Sequence, residues 1–344
     1  MTDSLITADG QVRLGLFPGS LHRINGADYD YRTPLGRRQG ALARRFHYKQ
    51  FQYFGVLSGR VLAGCALAHT GYIGLAFVYV YDTAGNQLTA ETFRLPLGRG
   101  LAMSDSPVAG DSTLKTGGAD IHLGYRQAAD GTLEKTLRVR TRKGLAIDAA
   151  LRETAPFQPL ALCTRTGING WTYANKVAGV AVNGRIALPG ASYDLAALDA
   201  SGHHDFTAGY LRRETFWNWA CLSGHATGDG VRHAVGLNLS CGVNETSFSE
   251  NCLWLDGQLV PTGLARFDYD RHDPYRPWRV QTADGAVDLQ FTPVGAHTER
   301  LDVLLFASDF KQLFGRFDGT LKAGGRTLKV DSHWGFVEEQ YAKW

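Results

Sequence analysis

Glu245 and Glu250, in the stretch "SCGVNETSFSENCLWLDG", are the carboxyl pair whose spacing invites acid chemistry. Burial that kept one of them protonated near neutrality would make it a general acid. The competing reading is a loop of solvated carboxylates, the commoner fate of isolated acids in turn-rich segments. His203, His204 and Asp205, in "SGHHDFTAGY", raise a metal site instead. Adjacent histidines on a strand point to opposite sides, however, and no second His, Cys or Glu cluster stands at metal-ligand spacing. Neither a metal nor a cofactor is therefore expected. The chain also has no phosphate-binding P-loop, no dinucleotide-binding glycine signature and no nucleophile elbow.

These residues need elements to position them, and the surrounding pattern is that of strands. In "FWNWACLS", Trp217, Trp219 and Cys221 share one face, while Phe216, Asn218 and Ala220 share the other. In "GLNLSCG", Asn238 and Ser240 alternate with Leu237, Leu239 and Cys241, and Asn251 and Trp254 follow. If Asn238, Ser240 and Asn251 share a barrel interior with Trp217, Trp219 and Trp254, that interior is aromatic with a few polar anchors. Buried polar groups then either close a network or await a ligand. The tryptophans alone are equally consistent with plain core.

Turn signals bound the strands. Asp130–Gly131, Asn183–Gly184, Asp229–Gly230, Asp256–Gly257, Asp284–Gly285 and Asp318–Gly319 are the dipeptides that tight hairpins require. Short alternating runs such as "LAFVYVYD" and "TLRVRT" lie between them. The pattern predicts an all-β fold of antiparallel sandwiches or closed barrels. A faint repeat links "FQYFGVLSG" (51–59) to "FWNWACLSG" (216–224), each followed by an aromatic strand ending at a turn, "YVYDTAGN" and "LWLDGQ". Pro156 and Pro159 interrupt the pattern between them. They suggest an N-terminal β domain over 1–155 and a C-terminal one, holding the main cavity, over 156–344.

The bulk numbers exclude other classes. A net charge of +3 spread over 344 residues, in short basic clusters, makes no nucleic-acid stripe. No run of about 18 apolar residues is present to span a membrane. Five cysteines without a C-x-x-C pair, and a start lacking secretory features, point to a reduced, cytoplasmic setting.

The block "HHDFTAGYLRRETFWNWACLSG", with "GLNLSCGVNE", "ENCLWLDG", "GYIGLAFVYVYD" and "GFVEEQYAKW", resembles the bacterial family catalogued as domain of unknown function 2804. More distantly the layout resembles the double-lipocalin, calycin-type group of carotenoid hydratases and cyclising proteins. That resemblance implies two tandem lipocalin-like antiparallel barrels or half-barrels. It also implies a His–Asp motif, matched by His204 and Asp205, ahead of an aromatic strand matched by Trp217 and Trp219. The chain departs from the motif where a Trp-Gly is expected, reading Phe206 and Gly209 around that point. On this basis Asp205 or Glu250 is the expected proton donor, with His204 as partner and the tryptophans facing a cationic intermediate. The ligand would be an apolar small molecule, isoprenoid-like or fatty-acyl-like, undergoing acid-assisted hydration, isomerisation or cyclisation. A non-catalytic lipid carrier using the same cavity is the alternative.

Overall fold

The alternation in the sequence is realised as strands paired into two antiparallel sheets, one of 14 strands and one of nine. The structure is a computed structural model and describes residues 3–243, 245–303 and 306–344. Among these residues the only α-helix is Ala41–His47, and no helix is long and apolar enough to cross a membrane. All five cysteines are free, and four of them are buried.

Both sheets follow one plan. In the first, the strands Lys49–Leu57, Val61–His69, Ile73–Asp82 and Gln87–Pro96 meander, and Ser201–Tyr210 returns to pair with Lys49–Leu57. In the second, Glu214–Gly228, Val231–Cys241, Cys252–Leu255 and Gln258–Pro261 do the same. There Arg326–Lys343 returns to pair with Glu214–Gly228. The two similar segments noted above thus open the two units, and the two aromatic segments are the third strand of each. The alignment as written is one residue out of phase, because Phe54 faces the first unit's own core while Trp219 faces the other sheet. The chain crosses between the sheets after Tyr210 and before Glu214, so the strands of residues 156–210 pair in the first sheet.

Two of the six expected hairpin dipeptides are not hairpins. Asn183–Gly184 lies inside the strand Trp171–Leu188, and Asp318–Gly319 lies inside Phe306–Ala323. A Cβ at Gly184 would meet the carbonyl oxygen of Asp148 at 2.0 Å, and one at Gly319 would meet that of Asp288 at 2.3 Å. Glycine is required at both because the neighbouring backbone approaches so closely, and φ is positive at each. The same device at the same place in both units is a second mark of their common plan.

Each unit has an interior of its own. Phe54, Val78, Ile121, Val139 and Leu151 belong to the first, and Leu222, Leu237, Leu289, Phe291 and Phe317 to the second. The architecture is two tandem lipocalin-like barrels, the first nearly closed and the second a half-barrel. They meet through an aromatic layer in which Tyr53, Tyr79 and Tyr81 pack on Trp219, Phe314 and Phe336. This layer places the site.

A candidate active site between the two sheets

Residues opposite one another on neighbouring strands project from the same face. On the first sheet, successive partners give one row across six strands: Lys176, Asp205, Tyr53, Ala66, Phe77 and Thr92. On the second sheet, Ser240, Trp219, Glu338 and Gln312 form a corresponding row. Between the rows is a cavity of about 200 Å³. It is a slot between the sheets. The sequence reading set the cavity inside the second barrel, but that interior is filled by aliphatic and aromatic core.

Small residues open the slot. Ala66 and Ala68 line its first-sheet wall, and Gly64 lies one step deeper on the same strand. A Cβ at Gly64 would meet the Tyr53 hydroxyl at 2.4 Å and the Tyr79 ring at 2.6 Å. Its absence lets those two hydroxyls pair at 2.7 Å beneath the floor.

At one end stands an ion cluster. The Lys176 ammonium lies 2.9 Å from Asp205 Oδ2 and 3.2 Å from Glu250 Oε1, and 4.8 Å from the centre of the Trp219 ring. Thr207 donates its hydroxyl to Asp205 Oδ1 at 3.0 Å. Burial raises the Asp205 carboxyl above its ordinary value, partly offset by Lys176. For Lys176, burial alone would lower the ammonium, but Asp205 and Glu250 outweigh it and hold the group charged.

Besides Glu299, the slot holds a further carboxyl, that of Glu338 on the facing sheet. Gln312 donates to its Oε1 at 2.7 Å, and the Trp217 indole N–H reaches its Oε2 at 3.4 Å. Burial pushes this carboxyl up to about 7, against the lowering effect of those two donors. Burial thus raises both Asp205 and Glu338, with Lys176 offsetting it at Asp205 and only neutral donors contacting Glu338 directly.

The structure brings Asp205, Glu250, Trp217 and Trp219 to this one cavity. His204 is elsewhere. It sits beside Asp205 on an extended strand, so its ring points into the first barrel, where Tyr125 Oη lies 3.3 Å from Nε2. Burial drives that imidazole well below its ordinary value. His203 shares the Asp205 face but packs on Tyr53 and Phe336 under the slot, and burial pushes its imidazole down to about 3.

Asn238 and Asn251 support the wall from behind. Asn238 accepts the Trp219 indole N–H at 2.8 Å and donates to the Glu250 carbonyl at 2.9 Å. Asn251 Oδ1 accepts the Ser240 backbone N–H at 2.6 Å. Trp254 is core, stacked near Phe157 with its indole N–H on the Gln158 carbonyl. Glu245 accepts the Gly242 backbone N–H at 2.5 Å and is not part of the slot wall. Among the described residues, no three His, Cys, Asp or Glu side chains are grouped to hold a metal ion.

Lys176, Glu299 and Glu338 are the charged members that sequence reasoning missed. Glu338 lies in "GFVEEQYAKW", where two adjacent glutamates must point to opposite faces and one of them must be buried if the strand is internal. Lys176 sits in the run "WTYANKVAGVAV", otherwise poor in charge, and that isolation was its signal.

Fold and site together define an all-β protein of two tandem lipocalin-like barrels with an aromatic, carboxyl-bearing slot between them. The chain belongs to the family described as domain of unknown function (DUF2804), which matches residues 2–344. No curated protein matches it in sequence. Among solved structures it is similar to that of CghA with Sch210972, with 11% identity and a TM-score of 0.55, covering 98% of this chain and 96% of that one. It is also similar to kievitone hydratase from Nectria haematococca, with 9% identity and a TM-score of 0.45, covering 94% and 98%. The likeness to CghA is one of fold.

Proposed function

We propose that the slot binds an apolar small molecule and that Glu338 protonates it, initiating hydration, isomerisation or cyclisation. The observation that carries this reading is a fully buried carboxyl, held near pH 7, in a wall otherwise made largely of aromatic and small apolar side chains. The proton passes from Glu338 to one carbon of a double bond, leaving positive charge on its neighbour. The faces of Trp217 and Trp219 and the charge of Asp205 and Glu250 favour that charge. Attack by water, which passes its extra proton to a carboxylate, completes a hydration. Loss of a different proton to a carboxylate completes an isomerisation. Attack by a second double bond closes a ring and moves the charge to a new carbon, where loss of a proton to the Glu338 carboxylate ends the reaction.

A carrier role is the second reading, and one observation favours it. Asp205 and Glu250 are already engaged by Lys176, and no histidine is among the described residues lining the slot. Mass spectrometry of small molecules released on denaturation would identify the ligand. Turnover of that ligand in Glu338→Gln then separates the readings. An enzyme of the proposed kind keeps binding and loses about 100-fold or more in rate. Full turnover in this variant would exclude Glu338 as the acid.

A further inference from the structure

We infer that the slot selects uncharged apolar molecules and rejects those carrying an anionic headgroup; this rests on reading the slot as the ligand site. Its lining holds four carboxyl groups, those of Asp205, Glu250, Glu299 and Glu338, and one ammonium, that of Lys176. Lys176 is committed to two of the carboxylates and to the Trp219 ring.

The acids stand at both ends. Asp205 and Thr92 are separated by four strand spacings along the row, about 19 Å in all. Asp205 and Glu250 mark one end. Glu299 marks the other, engaged by Thr92, by Arg94 at 3.2 Å and by His297 at 3.3 Å. The middle is apolar, with Phe77 and Phe310 facing each other at 5.6 Å. A ligand carboxylate would therefore meet like charge whichever way round it entered.

Neighbouring cations do not reverse this. Arg94 turns to Glu299 and is about half exposed. Lys49, near the rim, gives its ammonium to the carbonyl oxygens of Phe46 and Thr70, at 2.5 and 2.6 Å. What the slot does offer a ligand is neutral: Thr207, Ser240, Ser308 and Gln340 are among its lining. These suit a hydroxyl or carbonyl on an apolar body.

The test uses three probes with one chain length: dodecan-1-ol, dodecanoate and dodecylammonium, each below its micelle concentration at pH 8. Binding is followed by tryptophan fluorescence. Dodecanol is expected to bind at least about ten-fold more tightly than dodecanoate, the size of effect one nearby like charge produces. In the Asp205→Asn, Glu338→Gln double variant, the preference for dodecanol over dodecanoate should shrink to within about two-fold. The parent series stands by itself if that variant fails to fold. Dodecanoate binding as tightly as dodecanol would overturn the inference and leave the slot as the ligand site. Tighter binding of dodecylammonium than dodecanol would overturn it too, by showing a cation site. Failure of all three probes to bind would remove the ligand-site reading itself.

Discussion

Lys176 and Asp205 are direct cross-strand partners whose charged ends meet at 2.9 Å in a buried layer between two sheets. Glu250 approaches the same ammonium from the segment leading into the second sheet's strand Cys252–Leu255, so one lysine holds two acids and ties the barrels together. Placing these charges away from water costs several kcal/mol per ion, offset here by mutual attraction and the hydroxyl of Thr207. Such a cluster is not an economical way to stabilise a layer. Its position against the slot is what the proposed ligand-binding role would use.

Removing the cation alone should be severe. Lys176→Met leaves Asp205 and Glu250 buried without their counter-charge, and a loss of about 3–5 kcal/mol is expected in urea unfolding. Adding Asp205→Asn and Glu250→Gln to that variant should recover most of the loss, because a neutral set no longer carries an unpaired charge. Failure of the triple variant to recover would show that packing, and not charge, is what Lys176 supplies.

Glu338 gives stability a pH dependence of definite sign. Its folded-state value, about 7, lies above the unfolded value of 4.5, so the folded protein holds this proton more tightly. The contribution is fully present below about pH 4.5 and is lost as pH rises to about 7. The shift corresponds to roughly 3 kcal/mol. The difference in unfolding free energy between the parent and Glu338→Gln should therefore change across that window and be flat above it. A flat difference throughout would mean that Glu338 is ionised at ordinary cost.

His204 provides a control within one strand. Its ring lies on the opposite face from Asp205, so His204→Phe should leave binding in the slot unchanged. Some stability should be lost, about 1–3 kcal/mol, because Tyr125 loses a buried partner. Loss of turnover with stability intact would put His204 back in the reaction.

The strand pattern, the aromatic face and the duplication were legible in the sequence because each is local or periodic. Trp217 and Trp219 had to share a face, and Asp205 could be placed near them by a short connection. That His204 and Asp205 cannot both enter one site follows from the same alternation. What could not be read was the partner on a neighbouring strand. Lys176 and Asp205 are 29 residues apart, and Trp217 and Glu338 are 121 apart. Their meeting depends on which strands pair and in what register. Asn183–Gly184 and Asp318–Gly319 misled for a related reason. A dipeptide suited to a tight turn also suits a strand bent hard against its neighbour.

The last expectation concerns the hydrogen bonds that tune Glu338. The amide of Gln312 and the indole N–H of Trp217 both favour the ionised carboxylate and so oppose the effect of burial. Removing either donor should raise the Glu338 carboxyl further. In Trp217→Phe, the carboxyl carbon-13 resonance of Glu338 should titrate at higher pH than in the parent. Gln312→Leu should move it in the same direction and further, because its bond is the shorter. Trp344→Phe is the control: Trp344 neighbours Trp217 at 6.3 Å, but its own N–H goes to the Arg212 carbonyl. That variant should leave the titration in place. If the reaction begins with proton transfer from Glu338, the alkaline limb of the pH–rate profile should move with the resonance in the Trp217 and Gln312 variants. A resonance that moves while the rate profile stays fixed would keep the tuning and assign the acid elsewhere.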